Sequence, residues 1–199
     1  LEFRRVLFRS SQGGPYDIRP TRRYNKMLAD EGELGFIYSY ATMCERGIGA
    51  KKDLREARAY YCSAAQKGDA RAQVKYARMC RDAIGGPKYR LGAKENFEKA
   101  SSQGCTEAQY ELAELYFNSS APFGDKLKAL YEYKSAALKG HAEAAFKCAR
   151  ILSNSKRGVR VDLEEVKKFY GIAASLGHAA AQYELAEILS ESKEEKSLL

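Results

Sequence analysis

Glycine returns in a fixed rhythm along this 199-residue chain, at Gly32, Gly68, Gly104, Gly140 and Gly177, with intervals of 36, 36, 36 and 37 residues. A period of that length marks a repeat protein, in which one supersecondary unit is stacked on copies of itself. Aligning the periods on these glycines shows what each contains. After Gly68 comes AQVKYARMC (Ala72 to Cys80), after Gly104 AQYELAELY (Ala108 to Tyr116), after Gly140 AAFKCARIL (Ala144 to Leu152) and after Gly177 AQYELAEIL (Ala181 to Leu189). Small and large apolar residues fall at helical spacing, and Ala108, Leu112, Ala113, Leu115 and Tyr116 make one stripe that needs a partner helix. The second half of each period supplies it: Ala57, Tyr60, Tyr61, Ala64 and Ala65, then Ala93, Phe97 and Ala100, then Ala129, Tyr133, Ala136 and Ala137, then Val166, Phe169, Tyr170, Ala173 and Ala174. Each period therefore reads as a hairpin of a leading and a trailing helix.

The punctuation agrees. Gly47, Ile48 and Gly49 break the first hairpin, and Asp53 followed by Glu56 is a capping-box pattern that Asp162 and Glu165 repeat, both carboxylates serving orphan amides at a helix start. Asp17 and Asp125 fall at the same register, whereas Tyr89 stands in place of the Asp in the second period and Ser119 and Ser120 in place of glycine in the third. The repeated glycine suits a helix end, where a residue of positive φ turns the backbone into the next hairpin without a Cβ clash.

Ala41 to Gly68 (ATMCERGIGAKKDLREARAYYCSAAQKG), together with Gly140-His141-Ala142 and Gly177-His178-Ala179, resembles the Sel-1-like repeat family. The usual form there is a leading helix of small residues with Tyr and Leu, a GxG turn, Asp, an Ala-Tyr-Tyr-Ala-Ala trailing helix and a closing Gly, often followed by His-Ala. The resemblance covers about Tyr16 to Leu189 and implies an all-α fold, a right-handed α/α solenoid of antiparallel helix pairs with period 36 and about ten helices, related to tetratricopeptide arrays. The resulting division is 17–32 a trailing half-repeat, 33–68, 69–104, 105–140 and 141–177 four repeats, 178–190 a leading half-repeat, and 191–199 a charged tail. Because the chain opens halfway through a repeat, the natural protein is expected to extend upstream. Residues 11–16 read as a linker, and Leu1 to Ser10 (LEFRRVLFRS) can be encoded without mismatch by a widely used sequencing-adapter oligonucleotide, so they are expected to be adapter read-through. The competing reading is a basic targeting segment.

With 45% hydrophobic residues the chain can bury an elongated core, and no apolar run approaches the ~20 residues of a membrane helix. The formal charge of +8 falls to +6 without the first ten residues, mildly basic and no nucleic-acid signature by itself. Five cysteines cannot all pair internally. Cys44 and Cys80 are equivalent sites on neighbouring leading helices, expected about 8–10 Å apart and beyond disulfide reach, and Cys148 takes a leucine-like core site. A cysteine-rich branch of the resembled family bridges its repeats at positions held here by Ala65 and Gln73, Ser101 and Gln109, Ala137 and Ala145, and Ala174 and Gln182, so that branch is excluded. Cys62 with Cys105 stays open as a pair, and an intracellular, reducing compartment, cytoplasmic or mitochondrial, is favoured.

Little in the chain carries chemistry. The two histidines, His141 and His178, both follow a closing glycine and read as helix-start residues, not as catalysts or ligands. CxxC, HExxH, GxSxG and GxxxxGK[ST] do not occur, and Gly85-Gly86-Pro87 reads as a turn. No catalytic residue, metal site, cofactor or small-molecule substrate is expected, and the chain is read as not an enzyme. Most tyrosines sit on stripes, and the basic residues Arg19, Arg22, Arg23, Lys51, Lys52, Arg55, Arg58, Lys156, Arg157 and Arg160 gather at turns and trailing-helix starts, so nucleic acid is not the expected partner.

What remains is contact. The reading is a non-catalytic scaffold or adaptor for protein partners, free or as a subunit or assembly factor of a large mitochondrial or ciliary complex. The alternative is the repeat region of a larger enzyme or signalling protein whose catalytic domain lies upstream. In the resembled family the leading helix lines the concave wall, which here places Ser39, Thr42, Arg71, Lys75, Arg78, Glu107, Glu111, Glu114, Glu143, Lys147, Arg150, Glu184 and Glu187 on a partner-facing surface. Lys75, Glu111, Lys147 and Glu184 form one row of alternating sign and Arg78, Glu114, Arg150 and Glu187 a second. The rows are expected to run as charge ladders between neighbouring repeats, either bracing the stack or receiving a partner segment.

Overall fold

The computed structural model describes residues 17–118, 124–154 and 162–197. Ten α-helices and no strand occur among them: α1 (Arg19–Asp30), α2 (Leu34–Arg46), α3 (Leu54–Gln66), α4 (Ala70–Arg81), α5 (Arg90–Ser102), α6 (Thr106–Phe117), α7 (Gly124–Leu138), α8 (Ala142–Ser153), α9 (Leu163–Ser175) and α10 (Ala179–Ser197). Even-numbered helices are the leading ones and odd-numbered helices the trailing ones. The last runs to Ser197 as continuous helix, through what the sequence reads as a charged tail. The segments expected to be adapter (1–10) and linker (11–16), with Ser119, Ser120, Lys156, Arg157 and Arg160, lie outside the described residues.

The chain divides into two compact units, Leu1–Gln103 and Gly104–Leu199. In the first, Ile37, Tyr40, Ala41 and Cys44 of α2 close on Ala57, Tyr61, Ala64 and Ala65 of α3. In the second, Tyr133, Ala136 and Ala137 of α7 pack with Ala144, Ala145, Cys148 and Ala149 of α8 and with Val166, Phe169 and Tyr170 of α9. The alternation of small and large side chains explains the packing: alanines let the helix backbones approach, and each aromatic fills the gap they leave. Tyr24 of α1 packs less completely. It meets Phe36 edge-on with ring centroids 6.2 Å apart, yet stays 40% exposed.

All five closing glycines have positive φ, between 82° and 94°. Inside the hairpins, Gly47 and Gly49 both lie at φ 73° and Gly85, the equivalent of Gly49, at 69°. Ala83, the equivalent of Gly47, is held at φ 57°. An L-residue there carries a strain of about 1–2 kcal/mol, against which the unfolded-state entropy of glycine offsets roughly half. Ala83→Gly should therefore stabilise the protein by about 0.5–1 kcal/mol in urea denaturation.

The helix starts show where the capping-box reading holds and where it fails. Asp53 accepts from the amides of Arg55 (3.0 Å) and Glu56 (2.9 Å), and Asp162 from those of Glu164 and Glu165. The reciprocal half is absent at the first site, because the Asp53 amide donates to Cys44 O and the Glu56 carboxylate accepts from Lys26 Nζ and the Tyr40 hydroxyl, both at 3.0 Å. Glu165 likewise accepts from Lys134 at 2.6 Å. Lys26 and Lys134 are equivalent positions, so a carboxylate expected to cap its own helix ties one trailing helix to the next instead. Asp17 sits one residue before the N-cap Ile18 and pairs with Arg19, and Asp125 lies inside the first turn of α7. Tyr89, standing in for Asp, folds its ring over Gly92, where a Cβ would come within 2.2 Å of it.

Two arginines that the sequence places at trailing-helix starts are fasteners. Arg22 is buried and donates to Ile48 O (3.0 Å), Met43 O (3.3 Å) and Cys44 Sγ (3.2 Å), with Glu56 3.7 Å away. Its equivalent Arg58 donates to Pro87 O (2.9 Å), Ile84 O (3.3 Å) and Cys80 Sγ (3.3 Å). Each guanidinium thus pins the intra-repeat turn of the following hairpin, using donors fixed in one plane.

Candidate partner-binding face

Within 17–103 the leading helices α2 and α4 carry Ser39, Thr42, Arg71, Lys75 and Arg78. Lys75 reaches back to α2, where both oxygens of Glu45 accept at 3.2 Å. The hydroxyl of buried Tyr61 on α3 donates to the same carboxylate (2.7 Å) and shares a hydrogen bond with the Thr42 hydroxyl (3.0 Å). Arg71 pairs with Asp69 at 3.0 Å, and its guanidinium carbon lies 4.6 Å from the centroid of the Tyr38 ring. Ser39 is exposed and donates to Gly35 O in its own helix, and Arg78 is half-buried.

Within 104–199 the same device recurs. Lys147 on α8 donates to Glu114 on α6, and the hydroxyl of buried Tyr133 on α7 donates to that carboxylate too. Tyr61 and Tyr133 are equivalent positions, as are Lys75 and Lys147. The carboxylate alone moves, from the Glu45 position to one nearly a helix turn earlier at Glu114. A trailing-helix phenol, a leading-helix carboxylate and the next leading helix's ammonium therefore form a three-part brace in each unit. Reading the tyrosines only as apolar core overlooked their hydroxyls. The recurrence of Tyr61 with Tyr133 alongside Lys75 with Lys147 was the available signal.

Charge follows from these contacts. Burial alone would raise the Glu114 carboxyl, but the hydrogen bonds from Lys147 and Tyr133 outweigh it and hold it below the ordinary 4.5. Glu45 is lowered in the same way by Tyr61 and Lys75 against its own burial. Burial and Glu114 together push the Tyr133 phenol up. A carboxylate lowered in the folded state stabilises that state above its unfolded value, and the stabilisation disappears as pH falls through the folded value. Stability should accordingly decline on acidification below 4.5, and Glu114→Gln should flatten that decline in a series of melts across pH.

Within each unit these pairs do not follow the rows expected as ladders. Lys147 and Glu114 belong to different rows and are 33 positions apart, and Lys75 and Glu45 are 30 apart, instead of one 36-residue step. Packed helices interlock the ridges formed by residues three and four apart, so the neighbour across the step is a turn or two along and not the equivalent residue. Glu111, placed on the open wall by its register, is buried. Glu143 meets His178 Nε2 at 3.0 Å, Glu187 accepts from the Tyr183 hydroxyl at 2.6 Å, and Glu184 is half-buried. Glu107 and Arg150 are exposed, Arg150 lying 5.6 Å from the Phe146 centroid.

Both histidines act at helix starts. His141 Nδ1 accepts from the amide of Ala144 (3.1 Å) and His178 Nδ1 from that of Ala181 (3.2 Å), so each imidazole serves an orphan donor. His141 stacks on Tyr110 and His178 on Phe146, with centroids 4.4 and 4.3 Å apart. All five cysteines are free thiols, Cys62 and Cys105 included, and burial pushes the Cys148 thiol up to about 12. Among the described residues no group of three or more His, Cys, Asp or Glu could hold a metal ion, and no helix is long and apolar enough to cross a membrane.

The Sel1 repeat family model matches residues 36–69, 70–105, 106–141 and 142–178. No curated protein matches the sequence. Among solved structures, c5321, a protective antigen of uropathogenic Escherichia coli strains displaying an SLR fold, is similar at 24% identity and a TM-score of 0.79 over 90% of this chain and 38% of that one. A Sel1 repeat protein from Oxalobacter formigenes is similar at 24% identity and a TM-score of 0.75, over 87% of this chain and 50% of that one. A third, from Klebsiella pneumoniae subsp. pneumoniae, shares 16% identity at a TM-score of 0.52, over 92% and 89%. These likenesses show the fold, an α/α solenoid of helix pairs. The chain spans 38% and 50% of the first two relatives' lengths.

Proposed function

The chain belongs to the Sel1 repeat family, whose repeats typically mediate protein–protein interaction, and from that premise we propose that it is a non-catalytic scaffold or adaptor. The observation that carries this reading is the split character of the leading-helix face in residues 104–199. Glu114, Glu143 and Lys147 are engaged between helices of the stack, while Arg150 and Glu187 stay exposed beside them. Bracing holds the surface rigid, which lowers the ordering cost of docking a partner on its exposed charges. The narrower setting is a subunit or assembly factor of a large complex, mitochondrial or ciliary.

The test is a double exchange, Arg150→Glu with Glu187→Lys, which preserves net charge. Affinity capture with quantitative mass spectrometry from cells expressing the protein should lose the partners held by wild type, with the thermal midpoint unchanged. Partners retained at wild-type levels would remove this face from the function. A second reading is a docking region within a longer enzyme or signalling protein. A full-length transcript encoding a catalytic motif would establish it.

A further inference from the structure

The net charge is concentrated. Residues 17–103 carry 18 Lys and Arg against 11 Asp and Glu, a surplus of 7 cations, whereas residues 104–199 carry 13 against 14. Within the first unit a cleft opens at the edge where the intra-repeat turns lie, lined by Lys51, Lys52, Asp53, Leu54, Arg55 and the turn Gly85-Gly86-Pro87. Lys88 follows directly in the chain. Among the described residues Lys51, Lys52, Arg55 and Lys88 have no ion-pair partner, and the nearby acids are engaged elsewhere: Asp53 on the amides of α3, Glu56 with Lys26, and Asp82 with Arg81.

The far wall is braced. Arg58 holds both ends of the turn through Ile84 O and Pro87 O, and Gly85 lies so close to α3 that a Cβ would stand 2.1 Å from Leu54 O. Lys51, Lys52 and Arg55 stand around a shallow, open depression whose one lining acid, Asp53, is turned to the amides of α3, and this local excess of positive charge favours an anionic occupant. We infer that this edge, centred on Lys51, Lys52 and Arg55, docks an acidic segment of a partner protein. The inference rests on the scaffold reading but uses a different surface, at the turns and not on the leading helices. An extended peptide bearing carboxylates fits it better than RNA, because the cleft lining contains no aromatic ring on which bases could stack.

The test uses the whole chain and a fluorescein-labelled peptide of about ten glutamates, read by fluorescence anisotropy at low ionic strength, where exposed charges are least screened. Lys51→Glu with Lys52→Glu should weaken binding about ten-fold or more, while the same change of charge at Lys67 and Lys99, on exposed trailing-helix ends, should alter it less than about two-fold. Circular dichroism of both variants confirms that they fold. Equal weakening by the two pairs, or no binding by wild type, would overturn the inference. So would a single-stranded RNA of about ten nucleotides binding more tightly than the peptide with the same dependence on Lys51 and Lys52. Failure is separable from that of the scaffold reading: the peptide is measured directly, so it can bind even if the Arg150 and Glu187 exchange leaves natural partners in place.

Discussion

Tyr133→Ala should destabilise the protein by about 3–5 kcal/mol, measured as a shift in urea denaturation. The side chain is wholly buried, with Tyr110 and Phe117 beside it at centroid distances of 6.1 and 6.4 Å, and its removal leaves a cavity between them. Part of the loss is polar, because the phenol donates to Glu114. Tyr133→Phe isolates that part and should cost about 1.5–3 kcal/mol, the range for a hydrogen bond to a charged group. In Glu114→Gln the same Phe substitution should cost less, since the acceptor is no longer charged. A loss within about 0.5 kcal/mol for Tyr133→Ala would place the ring on the surface.

The second large effect belongs to Gly85. An alanine there meets two penalties: a φ of 69°, and a Cβ 2.1 Å from Leu54 O and 2.7 Å from Leu54 C, which are backbone atoms and cannot swing aside. Gly85→Ala should cost about 3 kcal/mol or more, combining left-handed strain with displacement of the turn from α3. Gly68→Ala separates the terms, since at φ 93° nothing lies within 4 Å of the added Cβ. Strain, about half of it offset by the lost unfolded-state entropy of glycine, should then cost about 0.5–1 kcal/mol. Equal losses at the two sites would show that the close approach to Leu54 contributes nothing.

The helices were legible because their signal is local and repeated. Ala57, Tyr61 and Ala64 on one face, and the same spacing at Ala129, Tyr133 and Ala136, need no tertiary knowledge to be read as a buried stripe, and all six are buried. The closing glycines were legible for a similar reason, as positive φ is a property of one residue. Polar side chains were harder, because their partners lie 16 to 35 positions away on another helix. Glu56 has the spacing of a capping residue, and only the packing of α1 beside α3 brings Lys26 to it. Arg22 reads in the sequence only as one of the basic residues at a trailing-helix start, and its three acceptors lie 21 to 26 positions away. The register held a clue: Arg22 and Arg58 recur at the same interval as Cys44 and Cys80, and each arginine donates to its cysteine. Glu111 shows the limit from the other side, since register placed it on the wall and the packing buries it.

Site-specific photo-crosslinking tests the scaffold account most directly. A benzophenone side chain placed at Glu107 or Arg150, on exposed positions of the leading helices, should yield crosslinks to a protein partner in cells, and one at Lys168, exposed on a trailing helix, should not. Crosslinks from Lys168 alone, or equally from all three positions, would contradict recognition through the leading-helix face.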